Sequence, residues 1–173
     1  MIWLKYAAAA LIFFISSLLQ ASFFPYFSIM GATPSLVFTL FFLILFFEHS
    51  LGRGLGLGSA IIAGIISDMF LSSPFGVCIL AFLAVYFLHA LIGHFFSDSQ
   101  SNYRILYFIA MFCVLFVAYY SLLQLAAVLF GGQGVLGMVT FINLAYSLVF
   151  ATLGFYAGKT FLPEDINNQL KLL

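Results

Sequence analysis

Acids and histidines are the side chains in this 173-residue chain with the chemistry to form a site, and both are scarce. Asp68 stands apart from the other charges, at the end of an apolar, glycine-rich run. An ionised side chain at the centre of a membrane helix costs about 2.5 to 3.5 kcal/mol, and less toward an interface, so Asp68 calls for a partner. One reading makes it a contact for another protein or a ligand. The other makes it a cap on the turn from Ser72 to Gly76, accepting from backbone N–H groups and meeting water. His89 and His94 share one apolar run, and His49 precedes the glycine-rich one. Five residues apart, His89 and His94 face different sides of a helix. No acid or cysteine falls at ligand spacing beside them, so no metal centre is expected. Cys78 and Cys113 both sit in apolar runs and read as packing residues rather than a disulfide.

Motifs for nucleophilic or hydrolytic chemistry are missing from the sequence. There is no Gly-x-Ser-x-Gly elbow, no His-Glu-x-x-His pair and no second membrane-embedded Asp to complete a dyad. The glycines alternate within an apolar helix and lack the following Lys-Ser or Lys-Thr of a phosphate loop. Neither catalysis nor a cofactor is expected. Tyr120, Ser121 and Gln124 share one helix face, and Asn143, Ser147, Ala151, Gly154 and Gly158 form another small or polar stripe. Both read as faces for helix packing, where a hydrogen bond is worth about 0.6 kcal/mol. A polar substrate pocket is the alternative.

The elements that must position these residues follow from composition. Apolar residues make up 65% of the chain and charged residues 6%, with a mean hydropathy of +1.24. Such a chain cannot cover itself with polar surface in water, so its helices must be solvated by lipid, where each satisfies its own backbone. The reading is an all-α membrane protein of a single domain over residues 1–173, with about six transmembrane helices. They fall at about 4–24, 35–50, 54–70, 75–96, 103–130 and 135–162, followed by a tail over 163–173. The first run reads as an uncleaved span because no small-residue cleavage site leads into polar sequence. The second is short: thirteen apolar residues from Ser35 to Phe47 make roughly 20 Å of helix against a hydrocarbon core of about 30 Å. It must recruit its flanks, thin the bilayer or be re-entrant. Phe and Leu on all its sides point to lipid exposure.

With six spans, Lys5, Arg53, Arg104, Lys159 and Lys171 all lie on the side of the termini, and the three opposite loops hold no Lys or Arg. Both termini are therefore expected in the cytoplasm. Net charge is zero, which gives no electrostatic basis for binding nucleic acid.

The glycine-rich stretch is the organising feature. Gly52, Gly56, Ala60, Gly64 and Asp68 recur every four residues and form one stripe on a helix, after which Pro74 and Gly76 mark a turn. Small residues let helix backbones approach closely in lipid, so this face is expected to pack against another helix or a partner. Pro34 opening an apolar run, Gly52-Arg53-Gly54, the helix from Gly64 to Asp68, and Pro74-Phe75-Gly76 together resemble the bacterial rod shape-determining MreD family over residues 33–95. The chain has Ser35 where that family often has Asp or Asn. The resemblance implies an inner-membrane scaffold that binds MreC and acts with MreB, RodA and penicillin-binding synthases in lateral peptidoglycan synthesis. It also implies a fold similar to the substrate-binding subunits of energy-coupling-factor vitamin transporters, which makes such a subunit the alternative function. A vitamin site needs polar groups converging from the outer loops. Tyr26, Ser28, Thr33, Ser72, Ser73 and Gln133 are a thin supply.

Overall fold

The computed structural model describes residues 2–48, 54–70, 74–95, 104–130 and 137–161, and contains six α-helices among them. α1 (Ile2–Ser22) leads into a 3-10 turn (Phe24–Phe27), followed by α2 (Leu36–Phe46), α3 (Leu55–Phe70), α4 (Val77–Phe95), α5 (Arg104–Leu129) and α6 (Met138–Phe161). Gly52, Arg53, His49, Ser72, Ser73, Gln133, Lys171, the loop 97–102 and the tail 163–173 lie outside the described residues.

Helix boundaries follow local chemistry. Pro34 disfavours helix in the residue before it, and α2 begins two residues later. Gly54 and Gly76, with φ of +93° and +101°, stand just before α3 and α4 in a left-handed conformation that strains any residue bearing a Cβ. Between α1 and α2, Met30 and Gly31 take φ of 53° and 79° and close a tight turn in which Ile29 and Ala32 exchange backbone hydrogen bonds.

Three helices, Trp3–Ser22, Ile105–Leu129 and Met138–Thr160, are long and apolar enough to cross a membrane. The others are shorter than the expected spans, α2 most of all: its eleven residues make roughly 16 Å of helix. The expectation that α2 faces lipid is overturned. Phe38, Phe41 and Phe42 are fully buried, and α2 touches α1, α3, α5 and α6. A helix apolar on all sides suits lipid or complete enclosure equally, and one this short gains its contacts from neighbouring helices.

The core around α2 is aromatic. Phe41 meets Phe82 of α4 edge to face at 4.9 Å. Phe42 packs on Phe108 and Phe112 of α5 at 5.2 and 5.1 Å. Phe46 also reaches Phe108, whose ring lies 4.7 Å from Phe155 of α6. The edge-to-face geometry places ring hydrogens on π faces, adding roughly 0.5 to 1.5 kcal/mol per pair to simple packing.

The helices do not end level. Tyr119 of α5 lies against Phe38 and Phe82, in the early turns of α2 and α4, at 5.0 and 4.9 Å. Ten further positions of α5 follow it, roughly 15 Å. On α6, Ser147 meets Ser35 just before α2, and nine positions, roughly 14 Å, separate it from the start of the helix at Met138. The start of α6 therefore lies well past that of α2, while Leu129 at the end of α5 lines the same cavity as Pro74, Phe75 and Gly76 before α4.

Phe42→Ala is expected to lower stability by about 2 kcal/mol. That is less than the roughly 3 to 5 kcal/mol of a water-soluble core, because lipid solvates an exposed ring as well as protein does and only the cavity term remains. Reversible unfolding in mixed micelles measures it, with the lipid-facing Phe14→Ala as the near-neutral comparison.

Candidate functional site

A helix that begins inside an apolar medium leaves its first N–H groups without water, so each must find an acceptor in the protein. Asp68 supplies this for α4. It is 6% exposed, the Gly76 N–H donates to Oδ2 at 2.8 Å, and the Cys78 N–H donates to Oδ1 at 2.9 Å. Both carboxylate oxygens are thus engaged at the start of α4. The geometry is that of a cap, but the carboxylate is buried where a turn-capping Asp is expected to meet water.

Glu48 repeats the arrangement for α3. Its Oε1 accepts from the Gly54 N–H at 3.0 Å and from the Gly56 N–H at 3.1 Å. In both cases the acid stands eight residues before a bonded glycine, Glu48 before Gly56 and Asp68 before Gly76. α2 is capped by neutral groups: the Leu36 N–H donates to Gln20 Oε1 at 3.1 Å and the Ser35 N–H to Ser147 Oγ at 2.9 Å. Neither Glu48 nor Gln20 was singled out from the sequence. The repeated spacing of an acid before a helix-opening glycine was the available signal for Glu48.

The small-residue stripe meets two different neighbours. A Cβ at Gly64 falls 2.5 Å from the Ile79 Cα of α4, so the two backbones are in direct contact there. At Gly56 it meets the Glu48 carboxylate and, at 2.9 Å, Leu45 of α2. Ala60 is fully buried between them. Off the stripe, Gly58 admits the Tyr6 ring, whose hydroxyl donates to the Gly54 carbonyl at 3.1 Å. The second stripe lies on α2, where Gly154 and Gly158 leave room for Leu43 and Phe47. Tyr120 is half-buried, while Ser121 is exposed. Pro74 is exposed beside the half-buried Gly76. Lys5 near the start of α1, Arg104 opening α5 and Lys159 in the last turn of α6 stand at the same end of the bundle as Glu48.

Among the described residues, no three His, Cys, Asp or Glu side chains gather to hold a metal ion. A cavity of about 550 Å³ opens between α4 and α5, lined by apolar groups that include Phe75, Val77, Leu80, Leu125 and Leu129. With both acids at the ends of α3 bonded to backbone, the arrangement holds helices in register.

Compared with known families, residues 2–156 match the family model described as rod shape-determining protein MreD. No curated protein and no solved structure matches the chain.

Asp68→Ala leaves two buried N–H groups without an acceptor and is expected to cost about 2 to 4 kcal/mol, with Asp68→Asn, which keeps one acceptor oxygen, intermediate. Thermal unfolding of the detergent-solubilised protein reads that order. Gly64→Ala is expected to lower the melting temperature more than Gly58→Ala, since the first presses on the Ile79 backbone and the second on a ring that can swing aside.

Proposed function

Because this chain belongs to the rod shape-determining MreD family, with residues 2–156 matched, we propose that it is a non-catalytic scaffold of the cell-elongation machinery that binds MreC. The family is one of membrane proteins that take part in determining rod shape. The family match is the observation that carries the reading. The use of Glu48 and Asp68 as helix caps supports a structural role over a catalytic one. Through MreC the chain connects indirectly to MreB filaments and to the RodA and penicillin-binding synthases, and so to lateral peptidoglycan synthesis.

The proposal includes a single bundle in the bacterial inner membrane that crosses it six times and is related in fold to the substrate-binding subunits of energy-coupling-factor transporters. Lys5, Arg104 and Lys159 at one end of the bundle support termini in the cytoplasm. Gly56, Ala60 and Gly64 form its packing spine, and Asp68 with the Pro74 to Gly76 turn lies toward the partner surface. The alternative of a vitamin-binding transporter subunit draws no support from the cavity between α4 and α5, whose walls are apolar.

The test is capture of MreC by the tagged chain from co-expressing membranes. Correctly inserted wild-type protein is expected to retain MreC, and failure to do so overturns the proposal. Gly64→Leu is expected to reduce capture at least several-fold or to prevent folding. Intact capture with wild-type levels of inserted protein removes the glycine face from the argument.

A further inference from the structure

The two helix starts capped by acids are not equally held. At α4 the bond from the Cys78 N–H to Asp68 is buried, and the first turn closes with a 3.0 Å bond from the Leu80 N–H to the Gly76 carbonyl. At α3 the bond from the Gly54 N–H to Glu48 is exposed, and the equivalent closing bond, from the Gly58 N–H to the Gly54 carbonyl, is 3.3 Å long. Exposed bonds compete with water and open first. The residue types act in the same direction. α3 opens with Leu55-Gly56-Leu57-Gly58, and glycine is the poorest helix former after proline, whereas α4 opens with Val77-Cys78-Ile79-Leu80.

The glycines that weaken this turn are the ones that admit its supports. A Cβ at Gly56 would meet the Glu48 carboxylate, and one at Gly58 would meet the ring of Tyr6. Gly54 is gripped through both of its peptide groups: Glu48, just past the end of α2, accepts from its N–H, and the Tyr6 hydroxyl of α1 donates to its carbonyl at 3.1 Å. We propose that the first turn of α3 is a latch, wound while Tyr6 and Glu48 hold it and unwinding through Gly58 when either lets go, with the rest of the helix undisturbed. That remainder has anchors of its own, in the backbone contact of Gly64 with Ile79 and in the two bonds from the start of α4 to Asp68. The end of the bundle that carries Lys5, Glu48 and Lys159 is then the adjustable one, and the end at Asp68 is fixed.

Amide-resolved hydrogen exchange of the full chain in micelles tests the latch. In the wild type, exchange at Gly56 and Gly58 is expected to be insensitive to low denaturant, the mark of local opening, while Gly64 and Leu80 respond to it. Tyr6→Phe removes one hydroxyl and Glu48→Gln one charge. Each is expected to speed exchange at Gly56 and Gly58 several-fold and to leave Gly64 to Leu80 unchanged. Three results overturn the proposal: denaturant-sensitive exchange at Gly58 in the wild type, unchanged exchange at Gly56 and Gly58 in either variant, or equal acceleration from Gly56 through Leu80. The first and third make the turn part of one cooperative unit with the rest of the helix.

Discussion

The constraint on which this bundle depends is that a helix starting inside an apolar medium must have its first N–H groups bonded by the protein itself. The first N–H groups of α2 and α4 are buried or partly buried while Gly54 before α3 is exposed, and each of the three starts is closed by a side chain outside its own helix: Gln20 and Ser147 for α2, Glu48 for α3 and Asp68 for α4. The acids add a favourable interaction with the positive end of the helix they cap, up to about 2 kcal/mol where partly buried. Asp68 lies in the last turns of α3, the negative end of that helix, so its stability in place rests on α4. The cap ties the two helices together. α3 is thereby fixed at both ends, by Glu48 where it starts and by Asp68 where it finishes.

Packing supplies the rest through two regimes. Helices in lipid gain little from leaving their solvent, so they must gain from close fit. Between α3 and α4 the fit is backbone to backbone, with Gly64 against Ile79. Around α2 it is ring to ring, with Phe38, Phe41, Phe42 and Phe46 set among aromatics of α4, α5 and α6. The glycines of α6 admit Leu43 and Phe47 and bring the last helix onto the same hub. Enclosing the shortest helix lets the longest ones frame the bundle. Among the described residues both carboxylates, Glu48 and Asp68, are committed to backbone N–H groups at helix starts.

Much was legible in the residues alone, because the relevant physics is local or compositional. Apolar content settled the membrane class, Pro34, Gly54 and Gly76 marked helix starts, and four-residue spacing placed Gly56, Ala60, Gly64 and Asp68 on one face. Pro34, Gly52-Arg53-Gly54, Gly64 to Asp68 and Pro74-Phe75-Gly76 were enough to indicate the family that the match over residues 2–156 established. What tertiary structure alone decided is which apolar surface meets protein and which meets lipid. Phe on every side of α2 is consistent with both, since the two surroundings are equally apolar, and only the arrangement of α1, α3, α5 and α6 encloses it. The same holds for Asp68, Glu48 and Gln20. A carboxylate or amide in a run of apolar residues declares a need for a partner, and the partner becomes identifiable only when another helix start is brought within about 3 Å.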